Sequence, residues 1–280
     1  MRASLSAELL KLRKRPAVWL VGAVFVLLSL FAFVFPYLNY RRGAALGGSR
    51  SADELLQAAL PASLVPSALS AWPLLGGAVA LVFGVLVAGS EYSWDTLKTV
   101  LAQRPGRLAT FAGKLTATAM LTGIAVAASV AVDAVASLVI ATAENRAVGW
   151  PPPTDLARDI AAGWLIVMMW CVAGLFLGTV LRGNALAVGI GLVWMLILEQ
   201  VVRSWAAPTV TVIDTLNHYL PGTNAGAVVA ALGVPTEQQG RGNPGITDAV
   251  SGAHAVLVVA GYLLTLSATT AAVLRRRDIT

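Results

Sequence analysis

Few side chains in this sequence are suited to covalent chemistry, and their spacing matches no catalytic set. His218 and His254 are the only histidines, and neither belongs to a His-Glu-x-x-His helix, so a zinc hydrolase has no ligand pattern here. No Gly-x-Ser-x-Gly elbow is present. Gly113-Lys114 has the ending of a phosphate-binding loop, but that pattern needs Gly at 108 and Ser or Thr at 115, and both are Leu. The chain is therefore expected to be no enzyme, to hold no metal, and to bind no ATP through that motif. Cys171, the single cysteine, lies inside an apolar run and reads as a small buried hydrophobe. Asp133 is the sharpest polar residue, a carboxylate within an apolar segment. Such a group is a candidate for a substrate pathway, and the competing reading is a structural or protonated residue. Glu199 stands near the end of another apolar segment and reads as facing its outer interface.

The elements that must position these residues are apolar runs. The chain is 57% hydrophobic and 12% charged, with a mean hydropathy of +0.75. Soluble chains carry about twice that charged fraction. Runs near the ~20 residues that cross a bilayer predict six spans at about 17–38, 71–90, 115–141, 160–181, 185–202 and 250–274. The fold class expected is an all-α polytopic membrane protein, residues 1–280 forming a single transmembrane domain. Residues 1–15 mix Leu5, Leu9, Leu10 and Leu12 with six charged residues and predict an amphipathic helix on the inner headgroups. The run that follows is too long for a signal-peptide core. Trp150-Pro151-Pro152-Pro153 predicts a stiff turn, and Arg182-Gly183-Asn184 a tight one. Residues 208–234 form two short apolar stretches broken by Pro221-Gly222. They suit either a re-entrant or interfacial helix pair or an outer loop with two surface helices. The tryptophans mostly stand at span ends, as interface anchors such as Trp72 would.

Between the second and third spans lies a charged interlude, residues 91–114. Ser93 suits an N-cap, Asp95 places negative charge in the first turn of a short helix, and Trp94, Leu97 and Leu101 share one face opposite Lys98. Pro105-Gly106 stops that helix. Lys98, Arg104, Arg107 and Lys114 supply basic charge. By composition alone this is either a solvated connector that fixes topology or a surface that a partner grips.

Glu91, Thr96-Leu97, Pro105-x-Arg107 and Lys114 together resemble the first intracellular loop of ABC-2 type transporter permeases. Asp95 departs from the family pattern, which has Gly there. The Tyr219-Leu220-Pro221 break and the terminal Arg276-Arg277-Asp278-Ile279 run are similar to family features as well. The resemblance implies a permease subunit of an ATP-driven exporter, working with a second permease copy or a related permease. It further implies a separate cytoplasmic ABC ATPase, which would carry the ATP and Mg. A coupling helix would dock into that ATPase through Glu91, Trp94, Thr96, Leu97, Leu101, Arg104 and Arg107.

Charge distribution sets the expected orientation. With both termini and residues 91–114 inside, thirteen of the twenty basic residues face inward, and nine of the fourteen acids face outward. Both termini are thus expected in the cytoplasm, in a multi-pass protein of the cell membrane. A net charge of +6 would suggest nucleic acid in a soluble protein, but here it is read against membrane lipid and no nucleic-acid partner is expected. The alternative reading is an ion-gradient-driven secondary transporter or channel. Inverted repeats or several intramembrane charges would favour it, and the sequence has one intramembrane carboxylate and no clear repeat.

Overall fold

A computed structural model describes residues 2–43, 51–93, 106–206, 209–236 and 243–276. These residues form helices and turns with no strand among them, and six helical segments are long and apolar enough to cross a membrane. The helices are α1 (Arg2–Arg13), α2 (Pro16–Arg41), α3 (Ala52–Gln57), α4 (Leu64–Leu69), α5 (Gly77–Ser93), α6 (Arg107–Ala143), α7 (Pro153–Leu181), α8 (Asn184–Val193), α9 (Thr211–Asn217), α10 (Pro221–Ala231) and α11 (Gly252–Arg276). A π-turn, Trp72–Gly76, leads into α5, and two more, Trp194–Leu198 and Val202–Ala206, extend α8.

The core is the parallel pair α5 and α7, along which Gly163 meets Trp72, Gly174 meets Leu81 and Gly178 meets Ala88. Gly84 of α5 lies against the Cys171 carbonyl, and Gly174 of α7 against the Leu81 carbonyl. A side chain at either position would strike backbone, so the two glycines let the helices touch directly, as small residues do in membrane bundles. Around this pair pack α6, α8 and α11, with α2 held outside α6.

Several helices run past the apolar limits read from the sequence. The 37 residues of α6 make a rod of ~55 Å, well beyond the hydrocarbon. Its first two turns stand at one pole of the bundle, beside Arg275 near the end of α11. Exposed Arg13 and Lys14 lie at the same pole, which is the basic end. Hydropathy misses these extensions because charged residues leave a helix intact while ending its apolar run.

The first helix, expected as an amphipathic helix, forms over Arg2–Arg13 and docks on the bundle. Ser4, Glu8 and Leu12, spaced one turn apart, are buried, and α1 packs on α6 with Ser4 against Gly113. Leu10 points away and is 54% exposed. Gly113 admits Ser4, Leu5 and Leu9 pack with Leu12 against the core, and of the four leucines Leu10 is the one left outward.

Candidate functional site

The residues of the expected coupling helix are divided by the structure. Glu91 falls in the last turn of α5 and Arg107 opens α6, while Trp94, Thr96, Leu97, Leu101 and Arg104 lie outside the described residues. Ser93, read as an N-cap, is instead the last residue of α5, since the helix of the second span continues to it. Lys114 lies seven residues inside α6, is buried, and donates to the Val87 carbonyl at 3.5 Å. That contact ties the ends of α5 and α6 together at the basic end.

Asp133 is fully buried, on a polar stripe of α6 made with Ser129 and Ser137. One carboxylate oxygen, Oδ2, accepts from the Ser29 hydroxyl of α2 at 2.8 Å. Ser29 in turn accepts from the indole N–H of Trp72 at 3.3 Å. The other oxygen, Oδ1, and the Ser129 hydroxyl have no hydrogen-bond partner among the described residues. The carboxylate therefore faces protein rather than lipid, and it joins α2 and α6 with the π-turn ahead of α5. Two turns further along α2, Tyr37 donates to Glu144 at 2.9 Å, so the same pair of helices is fastened again where α6 ends.

Trp72 is not the interface anchor its place in the sequence suggested. It is 1% exposed, its ring packs on Phe25 at 5.3 Å between centroids, and it closes against Gly163. An indole standing at the edge of an apolar run turns inward when its N–H has a partner there. Trp164 does likewise, donating to Thr122 at 3.2 Å. Trp19 and Trp205 remain outward, as anchors do.

A second polar cluster was missed from sequence. Glu199, read as facing the outer interface, is 4% exposed. Its carboxylate accepts from the Trp194 indole at 2.8 Å and from the backbone N–H of Gly222 in the first turn of α10. A carboxylate at that helix end is favoured by the helix dipole and satisfies an orphan amide. Arg203, one turn beyond Glu199, bonds Gln200 and reaches the Gly245 carbonyl at 3.5 Å. The π-turns on both sides of Glu199 aim Trp194, Glu199 and Arg203 at this one spot. The spacing of Trp194, Glu199 and Arg203 was the available signal, because a carboxylate in an apolar run must find donors.

Around the break before Pro221 the freed backbone groups are satisfied by side chains. Asn224 donates to the carbonyls of His218 and Leu220, His254 Nε2 lies 3.1 Å from the His218 carbonyl, and Tyr262 donates to the Tyr219 carbonyl. Helix α10 is buried over most of its length and packs on α11. Its 11 residues, ~17 Å, are too short to cross a bilayer. Among the described residues no group of His, Cys, Asp or Glu is arranged to hold a metal ion.

Comparison with known proteins adds one match. The family model described as ABC-2 family transporter protein matches residues 4–197, from α1 into the π-turn after α8. No curated protein matches the chain.

Proposed function

Because the chain belongs to the ABC-2 family of transporter proteins and is a multi-pass membrane component of an ABC transporter, we propose that it is the permease of an ATP-driven exporter, coupled to a separate ATPase. The family match over residues 4–197 carries this reading. In it, the permease works as a dimer, with its own copy or a related chain, and cargo moves along the interface between the two. In this reading the coupling loop, residues 91–114, lies at the basic end, which faces the cytoplasm of a cell-membrane protein. Supporting this placement, α5 and α6 both end there, bound by Lys114 and flanked by docked α1. Trp94 and Leu97 are the buried anchors of that contact, Arg104 and Arg107 its rim, and Glu91 orients the chain leaving α5. ATP and Mg are bound by the partner.

Asp133 enters this reading through α2. It lines none of the described cavities, and its bonded oxygen is held by Ser29. It reaches cargo when α2 shifts on α6 during the cycle, so Asp133→Asn alters transport while leaving assembly intact.

The test is affinity purification of the tagged chain from mild detergent, followed by identification of co-purifying subunits. An ATPase subunit bearing a phosphate-binding loop is expected. It should be lost in a Trp94→Ala/Leu97→Ala variant that still purifies as folded membrane protein. Recovery of the permease without any ATPase, under conditions that keep α1 and the bundle folded, contradicts the proposal.

A further inference from the structure

A cleft of about 390 Å³ opens on the side of the bundle near the basic end. Residues 18–26 of α2 form one wall and residues 121–128 of α6 the other, with α5 and α7 behind. Phe25 and Phe83 give it an apolar floor, and Ala125 and Ala128 keep the α6 wall low. Farther along, the same two helices are drawn together by Ser29–Asp133 and Tyr37–Glu144. The space lies only on the basic side of those bonds.

Gly22 shows that the cleft is not imperfect packing. A glycine in a membrane bundle ordinarily lets backbones touch, as Gly84 and Gly174 do. A Cβ at Gly22 would meet nothing within 4 Å, although the residue lines the cleft. The missing side chain leaves room rather than contact. An apolar gap of this size at the level of the spans loses dispersion contacts on both walls unless something fills it.

The mouth is chemically one-sided. Arg13 lines it, and exposed Lys14 follows in the elbow between α1 and α2. Trp19, 65% exposed, lies across that elbow and donates its indole N–H to the Arg13 carbonyl at 2.8 Å. Among the described residues no ion pair joins Arg13 or Lys14 to a carboxylate. An apolar slot with two cations and an indole at its headgroup end matches a lipid whose tail is hydrocarbon and whose head is anionic. A second copy docked two-fold on this cleft would bring another Arg13–Lys14 pair against the first, which argues against it.

We propose that the cleft holds one acyl chain of an anionic glycerophospholipid from the leaflet at the basic end, its phosphate resting on Arg13 and Lys14. The bound lipid fills the gap between α2 and α6 and thereby sets how far α2 stands from the bundle. This inference rests on the membrane-spanning fold and not on ATPase coupling, so either can fail alone.

The test is native mass spectrometry of the full chain in detergent, titrated with palmitoyl-oleoyl phosphatidylglycerol or the matching phosphatidylcholine. One phosphatidylglycerol should be retained more tightly than the rest and about tenfold more tightly than phosphatidylcholine, the scale expected of one or two interfacial cations. Gly22→Leu/Ala125→Leu, which fills the cleft, should remove that lipid with either headgroup. Gly22→Leu alone, which meets open space, serves if the double variant misfolds. Arg13→Gln/Lys14→Gln should keep one bound lipid and erase the headgroup preference. Equal retention of both lipids by the unsubstituted chain overturns the proposal, as does unchanged phosphatidylglycerol binding in the filled variants. Loss of a protein dimer, rather than of lipid, on filling the cleft would assign it to a second copy and likewise overturn the proposal.

Discussion

The hydroxyl of Ser29 links two helices through one carboxylate. Ser29→Ala removes the hydrogen bond to Asp133 and strands a buried carboxylate, which costs about 1–3 kcal/mol. Asp133→Ala in the same background removes the stranded group, so the double variant should regain part of the loss. Thermal unfolding in detergent, run as a double-mutant cycle, measures the coupling, and strictly additive losses would mean that the pair does not interact. Glu199 supports a similar forecast. Glu199→Ala leaves the Trp194 indole and the Gly222 amide without their acceptor and should cost about 2 kcal/mol, whereas Glu199→Gln keeps an acceptor and should cost less. An equal loss in both variants would count against the helix-end role of the carboxylate. Sequence exposed Asp133 because a carboxylate among Val and Ala residues is conspicuous. It hid Ser29, 104 residues away and unremarkable among its own apolar neighbours. It also misplaced Trp72 and Glu199, since position along an apolar run says nothing about which way a side chain turns.

Among the elements, α5 and α7 hold the bundle together, and their contact depends on two glycines. Gly84→Val would drive a branched side chain into the Cys171 carbonyl and should cost at least about 3 kcal/mol, the upper range for overpacking. Gly22→Ala, facing open space, should be nearly neutral, so the two variants compared by yield and melting temperature separate close contact from cleft. Hydropathy was sufficient to find all six spans, because an apolar run of spanning length has few other stable fates. It could not give their ends. The base of α6 is amphipathic rather than apolar, and its contact with α1 depends on Gly113 meeting Ser4, a pairing with no periodic signal. The α9–α10 pair was legible as two short helices around Pro221, but the donors that satisfy its break come from α10 and α11 and become visible only once those helices are packed.

For the whole molecule, the basic pole gathers α1, the base of α6 and the end of α11, and the helices flanking residues 94–105 end there. Under the proposed orientation that pole is cytoplasmic, so a cysteine introduced at Ser49 should react with an impermeant reagent in intact cells once Cys171 is replaced. One at Ser93 should not react, and labelling there would invert the topology. The proposal that this permease is driven by a docked ATPase is tested most directly by ATP hydrolysis of the purified complex in lipid, compared with a Trp94→Ala/Leu97→Ala variant. Loss of two buried anchors should weaken docking by ~2 kcal/mol or more, roughly thirtyfold, with Lys98→Ala changing it far less. Permease-dependent hydrolysis should then fall in the double variant and recover at high ATPase concentration. Hydrolysis and association unchanged from wild type in the double variant would contradict the account.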